Sequence, residues 1–185
     1  MTIFIGGSRH FKKLNDAIIE RLNNIIDKGY NIAIGDADGA DCGIQEFFAG
    51  KQYQNINIYC SGSTCRNNLL NWPIKNIEVD PKIKGRNFYM VKDYAMAKAS
   101  DYGFMLWDGK SPGTMNNILN LLKDQKTTLV YYSPLNNFFT VNDIVSLDNL
   151  LENCKPDQIE DMNKKISFSV RYAQLSEPEQ LELIN

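Results

Sequence analysis

From Thr2 to Tyr132, short apolar runs rich in β-branched residues alternate with segments of helical period, and this alternation limits the fold more than any other feature. A strand covered on both faces reads as an unbroken apolar run, and parallel strands need a long, usually helical, crossover between them. The pattern therefore predicts an α/β fold, a Rossmann-like open parallel sheet with helices on both faces, followed by a C-terminal extension. Thr2 to Ile5 reads as the first strand, and Asn15 to Lys28 as a helix whose buried stripe is Ala17, Ile18, Leu22, Ile25 and Ile26, ended by Gly29. Asn31 to Ile34 gives a second strand, Ala40 to Gly50 a helix, and Asn55 to Tyr59 a third strand.

The stretch from Ser61 to Lys84 is polar and irregular, with a short extended piece near Ile77-Glu78-Val79. Asn87 to Ser100 then reads as a helix with Met90, Tyr94 and Ala97 on one side, leading to the buried strand Tyr102 to Trp107. Ser111 at an N-cap and Pro112 at the first helical position start the next helix, and Thr127 to Tyr132 closes the series. These elements assign residues 1–133 to the Rossmann-like domain and residues 134–185 to the extension. In the extension, Phe138 to Val141 reads as an edge strand, Asn142 to Asn153 as a helix and Ile166 to Tyr172 as an extended segment. The last dozen residues, with Glu177, Glu179 and Glu182 around Pro178, are expected to be loosely ordered or held by a partner.

Charge narrows the partners. The net charge is −2, and residues 1–150 carry 16 basic against 15 acidic side chains. Such a balance provides no overall attraction to nucleic acid or to an anionic membrane surface, so neither is expected as a partner. No apolar run reaches the roughly 18 residues of a membrane span, and the N-terminus turns polar too early for a secretion signal, which points to a cytoplasmic protein. The four cysteines include no CxxC pair and are expected as reduced thiols. His10 is the only histidine, which rules out a histidine-based metal cage. Neither a metal nor a cofactor is expected.

Four turns carry candidate chemistry. Gly6-Gly7-Ser8-Arg9 follows the first strand, where its glycines permit close backbone approach and Ser8 and Arg9 can donate to phosphate oxygens; a simple tight turn is the alternative. Gly35-Asp36-Ala37-Asp38-Gly39-Ala40-Asp41 occupies the equivalent end of the second strand. Its three carboxylates either accept ribose or base hydrogen bonds through Asp36 or Asp38, cap the following helix through Asp38 or Asp41, or hold a cation. Arg86 and Asn87 open a helix after Gly85, from which a guanidinium can reach over the strand ends. Asp108 through Thr114 offers the best phosphate cradle, because the Ser111 and Thr114 hydroxyls add to the free N–H groups of a helix start at Gly113.

In this order, Gly7-Ser8-Arg9, Gly35 through Asp41, Arg86-Asn87-Phe88-Tyr89-Met90 and Gly113-Thr114 resemble the SLOG superfamily of Rossmann-like nucleotide-handling proteins, especially its YspA-like branch. The resemblance covers residues 1–133 and implies a homodimer or larger homo-oligomer with its site near a subunit contact. The LONELY GUY phosphoribohydrolases of the same superfamily pair an arginine, matched here by Arg86, with a glutamate. By this resemblance the glutamate position falls on Asn116, with Asn117 beside it. An amide cannot act as a nucleophile or carry the charge that stabilises an oxocarbenium-like centre. The first reading is therefore binding of a nucleotide or nucleotide-derived ligand, with phosphate on Ser111, Gly113 and Thr114, clamped by Arg86 and by Ser8 or Arg9. The alternative is an N-glycosidic bond hydrolase or transferase acting on nucleotides, with Arg86 and one of Asp36, Asp38 or Asp41 as catalytic residues, the aspartate standing in place of the glutamate. A DNA-binding role, like that of the SLOG-related DNA-processing protein, ranks third, because no Lys/Arg stripe is visible.

Overall fold

The computed structural model describes residues 1–11 and 13–176; the tail around Pro178 lies outside the described residues. The chain runs β1 (Thr2–Gly7), α1 (Asp16–Asp27), β2 (Asn31–Gly35), α2 (Ala40–Gly50), β3 (Ile56–Ser61), β4 (Ile74–Ile77), α3 (Arg86–Ala99) and β5 (Tyr102–Trp107). It continues through α4 (Pro112–Lys123), β6 (Thr128–Tyr132), β7 (Asn137–Val141), α5 (Ile144–Leu151), α6 (Pro156–Ile166) and α7 (Phe168–Ser176). The strands form one sheet in the order β4-β3-β2-β1-β5-β6-β7, parallel throughout except for β7, which runs antiparallel to β6. This is the expected open parallel α/β sheet.

Strand periodicity divides the core between the two faces. Ile3, Ile5, Phe104 and Leu106 pack with Ile18 and Leu22 of α1 and with Ile44 and Phe48 of α2. Phe4, Met105 and Trp107 point the other way, onto Met96 of α3, Met115 and Ile118 of α4, and Leu147 and Met162 of α5 and α6. Helices thus cover both faces, and residues 134–176 add a strand to the sheet edge and three helices to the α3/α4 side.

Strand order reverses between β1 and β5, since β1 continues to β2 on one side while β5 continues to β6 on the other. In open α/β sheets, ligands enter the crevice at the C-terminal strand ends where this happens. The turns there are closely packed. A Cβ on Gly7 would lie 2.5 Å from the Leu106 carbonyl oxygen and 2.9 Å from the Ala40 Cβ. Gly39, with φ +80°, presses on the Arg9 backbone. Glycine at these positions lets the loops after β1, β2 and β5 converge.

Three expectations are corrected. Ile166 to Tyr172 is not extended: Ile166 ends α6 and Phe168 begins α7, separated by Ser167 in the left-handed conformation. Its β-branched and aromatic content suggests a strand, yet Phe168, Tyr172 and Leu175 recur at helical spacing and pack against the α4 side. α3 does not bury Tyr94, which is 51% exposed; it buries Lys92, Met96 and Ala97. A lysine on a core-facing stripe is invisible to an apolar pattern. The thiols are not all reduced, because Cys60 and Cys65 form a disulfide while Cys42 and Cys154 remain free. No helix among the described residues is long and apolar enough to cross a membrane.

Candidate functional site

The first turn is engaged by its own fold. Ser8 is fully buried; its N–H donates to the Leu106 carbonyl (2.9 Å) and its hydroxyl to Asp108 Oδ2 (2.7 Å). Asp108 Oδ1 accepts the N–H groups of Lys110 (3.0 Å) and Ser111 (2.7 Å), so this carboxylate already fills the amide concavity after β5. The Ser111 hydroxyl caps α4, accepting from the Thr114 N–H at 3.4 Å and from the Thr114 hydroxyl at 3.1 Å. Pro112 has no N–H, which leaves the Gly113 N–H as the first-turn donor without an intrahelical acceptor.

Beneath these turns lies a cluster of charges around Lys92. Asp36 is buried at the end of β2 and accepts from Arg66 three times: from its N–H (3.0 Å), its Nε (3.2 Å) and its Nη2 (2.7 Å). Lys92 Nζ lies 3.7 Å from Asp36 and 3.1 Å from Asp93. Asp41 joins from α2; its Oδ2 accepts the Ala37 N–H at 3.2 Å, and a Cβ on Gly35 would stand 2.5 Å from both this oxygen and Lys92 Nζ. Burial opposes ionisation of Asp36, but the Arg66 hydrogen bonds outweigh it and hold the carboxyl below its usual range. Burial of Asp41 prevails over the attraction of Lys92, and its pKa is pushed up to about 6. Lys92 resists the opposing effect of burial because Asp93, Asp41 and Asp36 surround it, so it stays charged.

The Asp41 shift gives a pH prediction. Between its unfolded value of 3.8 and about 6, the folded protein keeps a proton that the unfolded chain releases. Stability therefore falls as pH rises through that window, by up to about 3 kcal/mol for a two-unit shift. The Asp36 contribution has the opposite sign, present above its unfolded value and lost as pH drops below it. Asp41→Asn is expected to flatten the decline between pH 4 and 7 in urea unfolding; an unchanged slope would rule out this assignment.

Two adjoining spaces open at the switch point. A hollow of about 90 Å³ is lined by Gly6, Gly7, Arg9, Asp41, Arg66, Tyr89, Lys92, Thr114 and Asn117, among others. A groove of about 650 Å³ borders it, lined by Ser8, Arg9, Arg86, Tyr89, Asp93, Lys110, Gly113 and Lys165, among others. Lys165 is paired with Asp161, and Asp93 with Lys92, whereas Arg9, Arg86 and Lys110 form no ion pair among the described residues. The rim of the groove therefore has a surplus of positive charge.

Of the residues singled out in the sequence, Gly7, Arg9, Asp41, Ser111, Gly113 and Thr114 line the hollow, and Arg86 and the buried Ser8 line the adjoining groove. Others lie apart. Both oxygens of Asp36 are held by Arg66, exposed Asp38 accepts from Asn67 at 3.1 Å, and Asn87 is exposed outside both spaces. Asn116 is buried and turned towards Arg171 of α7, which also bonds Asn120 at 2.7 Å; Asn117 is the amide that lines the hollow. Arg66, Lys92 and Asp93 were not read from the sequence, and Tyr89 and Lys110 stood within singled-out motifs without a role of their own. Arg66 lies in an irregular stretch with no pattern, but Tyr89 and Lys92 lie near Arg86 on the helix already singled out.

No protein-family model matches the chain, and no curated protein matches it. Among solved structures, it is similar to DNA processing protein A from Helicobacter pylori, with a TM-score of 0.57 and 17% identity, over 91% of this chain and 81% of that one. At this identity the likeness shows the Rossmann-like fold. That protein binds single-stranded DNA. This corrects the expectation that nucleic acid can be set aside as a partner. Near-neutral overall charge is a poor guide when the basic groups are gathered along one groove.

Proposed function

We propose that the chain binds a nucleoside phosphate in the groove at the C-terminal ends of β1 and β5. The observation that carries this reading is the convergence of Arg9, Arg86 and Lys110, none of them ion-paired among the described residues, with the first turn of α4 at the fold's switch point. Phosphate sits among these cations and the Gly113 N–H. The hollow of about 90 Å³ is too small for a whole nucleotide and receives the sugar, whose hydroxyls reach Asp41 and Asn117. Tyr89, shared by both spaces, presents a ring edge or face to the ligand. The motif order that resembles the YspA-like branch supports a nucleotide-type ligand, as does a structural neighbour that binds single-stranded DNA.

The experiment is equilibrium dialysis against nucleoside mono- and diphosphates, with a short single-stranded oligonucleotide and inorganic phosphate in parallel. Saturable binding of a nucleoside phosphate, tighter than that of inorganic phosphate, is expected. Absence of binding to every nucleotide and to the oligonucleotide would overturn the reading.

One observation favours N-glycosidic cleavage as a second reading. Asp41 is a buried carboxylate on the wall of the hollow with a pKa of about 6, suited to proton transfer near neutral pH. Chromatography of a mixed nucleotide pool would then reveal free base with the wild type and none with Asp41→Asn.

A further inference from the structure

Cys60, the penultimate residue of β3, is fully buried, while Cys65 lies half-buried in the loop that follows, and their disulfide ties that loop to the strand end across a sequence separation of 5, with Cα atoms 5.3 Å apart. The next residue is Arg66, whose N–H and guanidinium both clasp Asp36. The same guanidinium stacks 4.4 Å from the centroid of Tyr89 and lines the hollow. Asn67 adds bonds to the Asp36 carbonyl (2.9 Å) and to Asp38 (3.1 Å). On the other side of the bridge, Gly62, with φ +74°, lies against Phe88 in the first turn of α3, the turn that carries Arg86. The segment from Gly62 to Asn67, pinned by the bridge, therefore touches both the β2–α2 turn, through Arg66 and Asn67, and the start of α3, through Gly62.

Asp36 and the two sulfurs lie within 4.8 Å of one another, an arrangement that can hold a metal ion. Charge decides against that use. Asp36 already neutralises Arg66 at 2.7 Å and has Lys92 at 3.7 Å, and a dication would have to displace or face both. The chemistry left to the two cysteines is their own bond.

We propose that the Cys60–Cys65 disulfide is a redox latch on the ligand hollow. When closed, it holds Arg66 on Asp36 and Tyr89 and completes the hollow; when opened, it releases loop 62–66 and with it the Arg66 wall. The opening step is thiol–disulfide exchange with a dithiol reductant. One thiolate of the dithiol attacks the more accessible Cys65 sulfur and displaces the Cys60 thiolate, which takes up a proton. The second thiol of the reductant then attacks the mixed disulfide, so that Cys65 leaves as a thiol and the reductant leaves as its own disulfide. Two electrons and two protons pass from the dithiol to the protein. The loop is short, so the latch acts through local order rather than through global stability. Its effect on affinity rests on the nucleoside phosphate reading above, but its effect on Arg66 does not.

The test measures hydrogen exchange of the Arg66 amide, which donates directly to Asp36, in protein kept oxidised and in protein treated with dithiothreitol. Cys65→Ser serves as a permanently open form; the half-buried position is chosen because substitution of fully buried Cys60 could disturb β3. Thiol titration of the unfolded, oxidised protein is expected to find two free thiols, Cys42 and Cys154. Reduction and Cys65→Ser are each expected to speed Arg66 exchange at least tenfold and to weaken nucleoside monophosphate binding at least threefold. Four free thiols in air-oxidised protein, exchange unchanged within twofold, or faster exchange with unchanged affinity would each overturn the latch. If oxidised wild type binds no nucleotide at all, it is the ligand reading that fails, and the exchange comparison alone decides whether the disulfide holds Arg66.

Discussion

Lys92→Met is expected to destabilise the protein by about 3–5 kcal/mol at neutral pH, the range for breaking a buried ion pair by removing one partner. That is a large fraction of the roughly 5–15 kcal/mol that holds an ordinary domain together. The reason is the company Lys92 keeps: its side chain is 4% exposed and compensates Asp36, Asp41 and Asp93 from the middle of the α3 inner face. Methionine matches its length and fills the space, so the loss reports charge rather than a cavity. With the cation gone, Asp36 keeps Arg66, but Asp41 and Asp93 have no such replacement. Lys92 is what holds the Asp41 pKa down to about 6, so without it Asp41 takes up a proton more readily, and the defect is therefore expected to shrink at pH 5. Combining Lys92→Met with Asp41→Asn should recover part of the loss, a coupling that a double-mutant cycle measures. A loss under about 1 kcal/mol for the single change would mean that the cluster is balanced by some other group.

Arg86→Gln is expected to weaken nucleoside monophosphate binding by about 10- to 100-fold, the effect of losing a hydrogen bond to a charged group worth about 1.5–3 kcal/mol. Arg86 is exposed at the start of α3, makes no ion pair among the described residues, and lines the same groove as Arg9, Lys110 and Gly113. Its removal should leave the unfolding midpoint almost unchanged, which separates the loss of binding from any loss of fold. Arg86→Lys should recover part of the affinity, because charge persists while the planar fork does not. Titration calorimetry on the three proteins checks this, and affinities within twofold of one another would remove Arg86 from the site.

The sheet was legible because its signal is redundant. Five of the seven strands are short apolar runs between helices of clear period, and the α4 start carries both a serine cap and a first-turn proline. Helix α7 was not legible as such, since Ile166-Ser167-Phe168-Ser169-Val170 alternates like a strand, and the left-handed Ser167 that separates it from α6 carries no sequence signal. In the site, the glycine turns announced where the backbone converges, but not which side chains remain available. Ser8 and Asp108 satisfy each other across the β1 and β5 loops, a contact 100 residues apart in sequence. Asp36 is claimed by Arg66, from a stretch without pattern, and Lys92 hides in a helix whose other inward residues are apolar. What escapes a reading of one strand end at a time is this pairing between loops. It leaves Arg9, Arg86 and Lys110 without an ion pair among the described residues.

The placement of phosphate is the central claim, and a crystal structure of the oxidised protein soaked with a nucleoside monophosphate tests it most directly. The account predicts phosphate oxygens within about 3 Å of the Arg86 guanidinium and the Gly113 N–H, with the sugar turned towards Asp41. A nucleotide bound with its phosphate away from the β1 and β5 ends, or an empty groove at a saturating concentration, would contradict it.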